Sequence, residues 1–120
     1  MYELPALSVR QPWAWLISAG FKDIENRSRR THYRGPLLIQ AGLRIQSVRE
    51  DVERAYGLTL PEEFRTGGIL GIVDLVDCVE KHPSTWFDGT GYGWVLANPR
   101  RLPFRECKGA LGLFRPKLRS

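Results

Sequence analysis

At the paired glycines Gly67 and Gly68 the chain turns to β. Residues 69–79, ILGIVDLVDCV, form a long run rich in Val, Ile and Leu. Branched side chains are stiff in a helix and pack well on a pleated surface, so this run predicts a long strand. Residues 92–97 and 110–114 predict two more strands, joined through Pro99, Pro103 and Gly109. In the first half, residues 4–9 and 37–41 are short apolar runs of the same kind, the second following the turn residues Gly35 and Pro36. Residues 22–27 read as a turn that leads into a further strand.

Elsewhere the period changes. Pro12 suits the first turn of a helix, Trp13, Leu16 and Ile17 recur at helical spacing, and Gly20 is a natural stop, predicting a helix over 12–19. A second helix is signalled by Ser47 and Glu50 as a capping box and by an apolar stripe of Val48, Val52, Ala55 and Tyr56. Gly57 ends it, and Glu50 with Arg54 adds a pair four residues apart. Residues 61–64 predict one more helical turn. The fold class is therefore α+β: about five to six strands and two short helices inserted early in the chain. Periodicity supports the mixture and does not by itself select a barrel.

With 120 residues, 42% hydrophobic and 26% charged, the chain reads as one folded domain over 1–120. Cys78 and Cys107 are too far apart in sequence for a metal-ligand or redox pair, and His32 and His82 sit in no ligand-spaced cluster, so neither a metal nor a cofactor is expected. The first residues lack the regions of a signal peptide, and no apolar run approaches the roughly 20 residues that span a bilayer. A cytoplasmic monomer is the expectation. The net charge of +5 favours a polyanionic partner. Arg27, Arg29, Arg30 and Arg34 form one basic cluster. Arg100, Arg101, Arg105 and Lys108 form a second, ahead of a basic tail of Arg115, Lys117 and Arg119. Such runs are also the ordinary composition of a solvated surface.

Three stretches resemble the ASCH family. The first is LSVRQPWA at 7–14. The second is GFKDIENR at 20–27, a G-x-K-x-x-E-x-R signature, continued by YRGPLLI at 33–39 and Ala41. The third is GILGIVD at 68–74, with GWVL at 93–96 and KGALGL at 108–113. The resemblance implies a small PUA-like β-barrel with a basic cleft that takes RNA or a ribonucleotide. Some relatives of this fold hydrolyse acetylcytidine, and others are credited with ribonuclease activity.

On that resemblance Lys22 is the leading site residue. It offers a compact charge to a phosphate or, if desolvated, a general base. Its alternative is a solvated turn lysine. Glu25 and Arg27, two apart on a strand, share a face; they either brace the cleft as an ion pair or contact the ligand. Ser8, Arg10, Gln11 and Trp13 lie where the first strand enters the helix, whose free N–H groups suit a phosphate. Trp13 equally fits core packing, and Trp15 points elsewhere. Tyr33 and Trp94 are candidate stacking faces for a base, with Arg34 beside Tyr33, while Trp94 equally fits a strand core.

Acetylcytidine-hydrolysing relatives carry a threonine three residues after the lysine and a distant glutamate. Here Glu25 holds the threonine position, Glu80 is merely near the third, and Gln40 stands where close family sequences often carry histidine. RNA or ribonucleotide binding is thus the first reading. The alternative is a metal-independent hydrolase, a ribonuclease or amidohydrolase, with Lys22 and Glu25 as its catalytic residues. A third is a cleft for a small metabolite or a protein.

Overall fold

A computed structural model describes residues 3–117; Arg119 of the basic tail lies outside them. The element order is β1 (Ala6–Gln11), α1 (Trp13–Ser18), β2 (Ile24–Arg27), β3 (Gly35–Ile45), α2 (Arg49–Tyr56), β4 (Gly68–Val79), β5 (Tyr92–Glu106) and β6 (Leu113–Phe114). The six strands make one curled sheet, a half-barrel, in the order β2-β5-β4-β3-β1-β6. The arrangement is α+β and compatible with a small PUA-like barrel. Among the described strands only β1 and β3 pair in parallel, because α1 and β2 carry the chain back between them.

The β-rich run becomes the central strand β4, paired with β3 on one side and β5 on the other. Three register irregularities interrupt the β4–β5 ladder, each of the kind that increases local twist and helps a sheet curl. Pro99 and Pro103 lie within β5 instead of ending it. Beyond Val95 that strand no longer pairs with β2, so its second edge is open and a missing N–H leaves no ladder partner unsatisfied.

α1 is apolar on two sides because it is covered on two sides. Ala14 and Ile17 join Leu7, Val9, Leu37, Ile39, Val73, Leu75 and Leu96 in the main core. Leu16 instead packs with Val52 and Leu60 in a second cluster beneath α2, against which Trp13, Trp15, Tyr56 and Trp86 lean. Gly71 permits the close approach of α1 to β4: a Cβ there would lie 2.6 Å from Ser18 Cβ.

Four local expectations are corrected. The Ser47–Glu50 capping box does not form, since α2 opens at Arg49 with Val48 in the N-cap position and no side-chain cap. Glu50 and Asp51 in the first turn supply the favourable negative charge instead. Arg54 pairs with Asp51, not Glu50, and Ala55 is exposed. Residues 61–64 form no helical turn: the Arg49 guanidinium donates to the carbonyls of Leu60, Pro61 and Glu62 and holds the segment as a bend.

Candidate functional site

Lys22 is delivered to its place by the end of α1. Gly20 adopts φ +91°, a region open to glycine, and the chain folds back so that the amides of Phe21 and Lys22 both donate to the Leu16 carbonyl. Lys22 is then only 6% exposed. Its ammonium donates to the Ile24 carbonyl, lies 3.6 Å from Glu25 Oε1, and sits 5.8 and 5.9 Å from the ring centres of Trp13 and Trp86. Burial pushes the Lys22 pKa below the usual lysine value; Glu25, Asp23 and Asp88 pull in the opposite direction without restoring it.

Glu25 links two cations. Its Oε2 accepts from Arg27 Nε at 3.0 Å and lies 2.9 Å from Arg27 Nη2. Arg27 Nη2 also donates to the Ser8 carbonyl at 2.8 Å, which ties β2 to β1 across the cluster. The alternation of a strand puts Glu25 and Arg27 on one face, and burial turns proximity into a linked Lys–Glu–Arg set.

This set forms one wall of an open cavity of about 590 Å³. Ser8, Arg10, Trp13, Lys22, Glu25 and Arg27 all line it. Arg10 is exposed, and no carboxylate among the described residues pairs with it. The Ser8 hydroxyl donates to Gln40 Oε1 at 2.6 Å and accepts from the Ala110 amide. Gln40 lies behind Ser8; it is buried and donates to the Cys107 carbonyl.

Four expected site residues are placed elsewhere. Gln11 is buried; its side-chain Oε1 accepts from the Trp15 amide and its Nε2 donates to the Arg65 carbonyl, so it takes up a helix N–H that the sequence reading leaves free for a phosphate. Trp94 stands opposite Glu25 in the β2–β5 register, yet its ring is 5% exposed within the main core and its indole N–H donates to the Arg29 carbonyl. Tyr33 packs against that core and donates to the Pro36 carbonyl at 2.5 Å. Arg34 binds the Thr31 and Tyr33 carbonyls and lies 3.8 Å from Asp77.

Along the sequence, the chain matches the ASCH domain over residues 7–104. The chain belongs to the ASCH domain family. Among curated relatives, it is 39% identical over 83 residues to Activating signal cointegrator 1 of Homo sapiens, an alignment covering 62% of this chain and 14% of that protein. It is 37% identical over 83 residues to the Mus musculus protein of the same name, with the same coverage. The chain thus spans only 14% of the length of these relatives.

The second wall of the ASCH cavity comes from residues that sequence reasoning missed. Trp86 stacks on Tyr56 at 3.7 Å between ring centres and 6° between planes, and Tyr56 donates to the Thr85 carbonyl. Asn26 holds this wall in position: its amide donates to the Trp86 carbonyl at 2.9 Å and accepts from the Asp88 amide at 3.0 Å. The Ser84 hydroxyl adds a bond to Asp23 at 2.6 Å. The available signal was the aromatic pair Trp86–Phe87 in a loop otherwise made of polar residues, glycine and proline. Its distance in sequence from Lys22 hid the contact.

Proposed function

We propose that this ASCH domain binds RNA or a ribonucleotide in the cavity between Lys22 and Trp86. The observation that carries the reading is the linked Lys22–Glu25–Arg27 set beside two tryptophans at an open cavity. In this reading Trp13 and Trp86 are the apolar walls for a base, a contact worth about 1–3 kcal/mol per base. Arg10 at the mouth and Arg27 take phosphate oxygens, Arg27 through Nη1, which makes no hydrogen bond among the described residues. Lys22 is committed to Ile24 and Glu25, so it sets the positive potential of the wall more than it grips a phosphate. Glu25 accepts from a ribose hydroxyl or a base N–H. The domain acts in the cytoplasm as a monomer. No helix of the described residues is long and apolar enough to cross a membrane.

The test is fluorescence anisotropy with short single-stranded RNA across a salt series. Binding weakens with a log–log slope of about −0.7 per phosphate contacted, and Arg10→Gln lowers affinity and flattens the slope. No interaction at low ionic strength, or binding indifferent to Arg10→Gln and to Lys22→Met, overturns the reading.

A second reading, hydrolysis, is favoured by one observation: the lowered proton affinity of a buried lysine at an open cavity, next to a carboxylate. It predicts cleavage of single-stranded RNA or deacetylation of acetylcytidine that Lys22→Met abolishes while the fold persists. Turnover unchanged by that substitution removes Lys22 and Glu25 as the catalytic pair.

A further inference from the structure

The second basic cluster is not used by this cavity. Its Arg101 lies on the other side of α1. Trp13 and Trp15 are two residues apart on a helix of about 100° per residue, so they project about 200° apart. A smaller cavity of about 290 Å³ opens on the Trp15 side, with Arg65, Arg101 and Phe104 in its lining. The Arg101 guanidinium lies 5.6 Å from the Trp15 ring centre, and that of Arg65 lies 3.9 Å from the Phe104 ring centre. Trp15 stacks in turn on Phe21 at 5.7 Å, and Phe21 is 44% exposed.

Both arginines are exposed, and no carboxylate among the described residues lies within ion-pair distance of either. Arg100 next door shows the contrast, since Asp74 holds it at 3.3 Å. A guanidinium over an aromatic ring is held without spending its N–H donors, and that fork matches phosphate oxygens two at a time. Phe21 and Trp15 add an apolar face of the kind on which bases stack. A pair of arginines kept for folding alone gains nothing from lacking carboxylate partners at a shared cavity.

We propose that Arg65 and Arg101 form a second phosphate-binding surface, which takes the phosphodiester backbone of a single-stranded nucleic acid whose neighbouring nucleotides occupy the Lys22 cavity. The inference rests on the nucleic-acid reading of that cavity. The two surfaces flank α1, a helix about 10–12 Å across with its side chains. A strand of several nucleotides reaches both; a very short one reaches one. Glu63 also lines the smaller cavity and opposes an anion there.

The experiment compares a uridine dodecamer with a uridine trimer, each titrated into the wild type, Arg65→Gln/Arg101→Gln, Arg10→Gln and Glu63→Gln. The double substitution is expected to weaken dodecamer binding about tenfold or more, the scale of one charge-assisted hydrogen bond or two, and to leave the trimer unaffected. The salt slope for the dodecamer falls by about 1.4, at ~0.7 per contact. Glu63→Gln tightens the dodecamer only. Inorganic phosphate at matched ionic strength leaves dodecamer binding unchanged if the ligand is a strand; strong competition by phosphate reassigns the surface to the free anion. If both oligomers bind and the double substitution changes neither, the second surface is overturned while the cavity reading stands. Dodecamer binding that depends on Arg65 and Arg101 but not on Arg10 overturns the cavity instead. No binding of either oligomer overturns both. Should the glutamine pair fail to fold, Arg65→Lys/Arg101→Lys keeps the charges and loses the stacked forks. It must still weaken the dodecamer selectively, or the proposal falls.

Discussion

Replacing Glu25 by glutamine isolates what holds the site together. Glu25 is 8% exposed and is the only carboxylate that the described residues bring within ion-pair distance of Lys22 or Arg27. Removing one partner of a buried pair costs about 3–5 kcal/mol, because the surviving charge is left unpaired in a poor dielectric. Here that figure is reduced from one side. The Arg27 side chain is 28% exposed and retains the Ser8 carbonyl, so its loss is partly repaired by water. Lys22, with 5% of its side chain exposed, has no such recourse and keeps the Ile24 carbonyl, the two indole faces and the charges of Asp23 and Asp88. The expected destabilisation is about 2–4 kcal/mol, a large share of the roughly 5–15 kcal/mol that holds a domain together. Equilibrium urea unfolding measures it, and a midpoint shift at constant slope reports stability alone. In a Lys22→Met background most of the penalty vanishes, leaving about 1 kcal/mol for the Arg27 contact, so the double-mutant cycle returns a coupling of about 1–3 kcal/mol. A cost below about 0.5 kcal/mol, or a cycle additive within ~0.3 kcal/mol, refutes the claim that Glu25 is what makes a buried charged Lys22 tolerable.

The lowered Lys22 pKa sets a sign for pH dependence. Between the folded value and 10.5 the unfolded chain binds more protons, so stability rises with pH through that window, and the penalty of burying the ammonium is fully present below it. Wild type should therefore gain stability relative to Lys22→Met as pH climbs toward 10.5 in parallel urea titrations; a constant or falling difference contradicts the assignment. Asn26→Ala removes both bonds to the loop that carries Trp86, and is expected to raise amide exchange over residues 84–88 while β4 stays protected; uniform exchange across the domain would argue otherwise. Gly71→Ala sets a methyl 2.6 Å from Ser18 Cβ and 3.1 Å from the Arg100 carbonyl, and should lower stability by about 1–3 kcal/mol in thermal or urea unfolding, with a neutral result showing that α1 is free to move off β4.

What the sequence disclosed follows the range of the interactions involved. The strands, α1 and its glycine stop are local patterns, and each appears with its type correct; the edges move by a few residues except in β5, which runs on past its apolar segment to Glu106, and β6 shrinks to Leu113–Phe114. Lys22, Glu25 and Arg27 were legible as a group for the same reason: six residues of turn and strand carry all three. The capping box shows the limit of such patterns. Ser47 and Glu50 have the right spacing, but the N-cap falls one residue later, at Val48, which is half-buried against the second apolar cluster. Packing of Val48 in the N-cap position outweighed a hydrogen bond worth about 1 kcal/mol.

The aromatic wall was illegible because no local rule distinguishes its members. Tyr56 fits the apolar stripe of a helix and Trp94 fits a stacking platform, yet Tyr56 supports the cavity and Trp94 fills the core. What separates them is that the β4–β5 loop lays Trp86 on Tyr56, and that loop is bonded to Asn26, a polar residue inside the signature that the sequence motif leaves undefined. Its amide saturates one carbonyl and one N–H of a loop 60 and 62 residues away, so a single side chain ties the Lys22 wall to the Trp86 wall. The two walls are thus positioned by the same strand: β2 supplies the charges with alternate residues and the clamp with the residue between them. A substitution that spares every charge can therefore still open the site, and this makes Asn26 as much a determinant of the cavity as the lysine it stands beside.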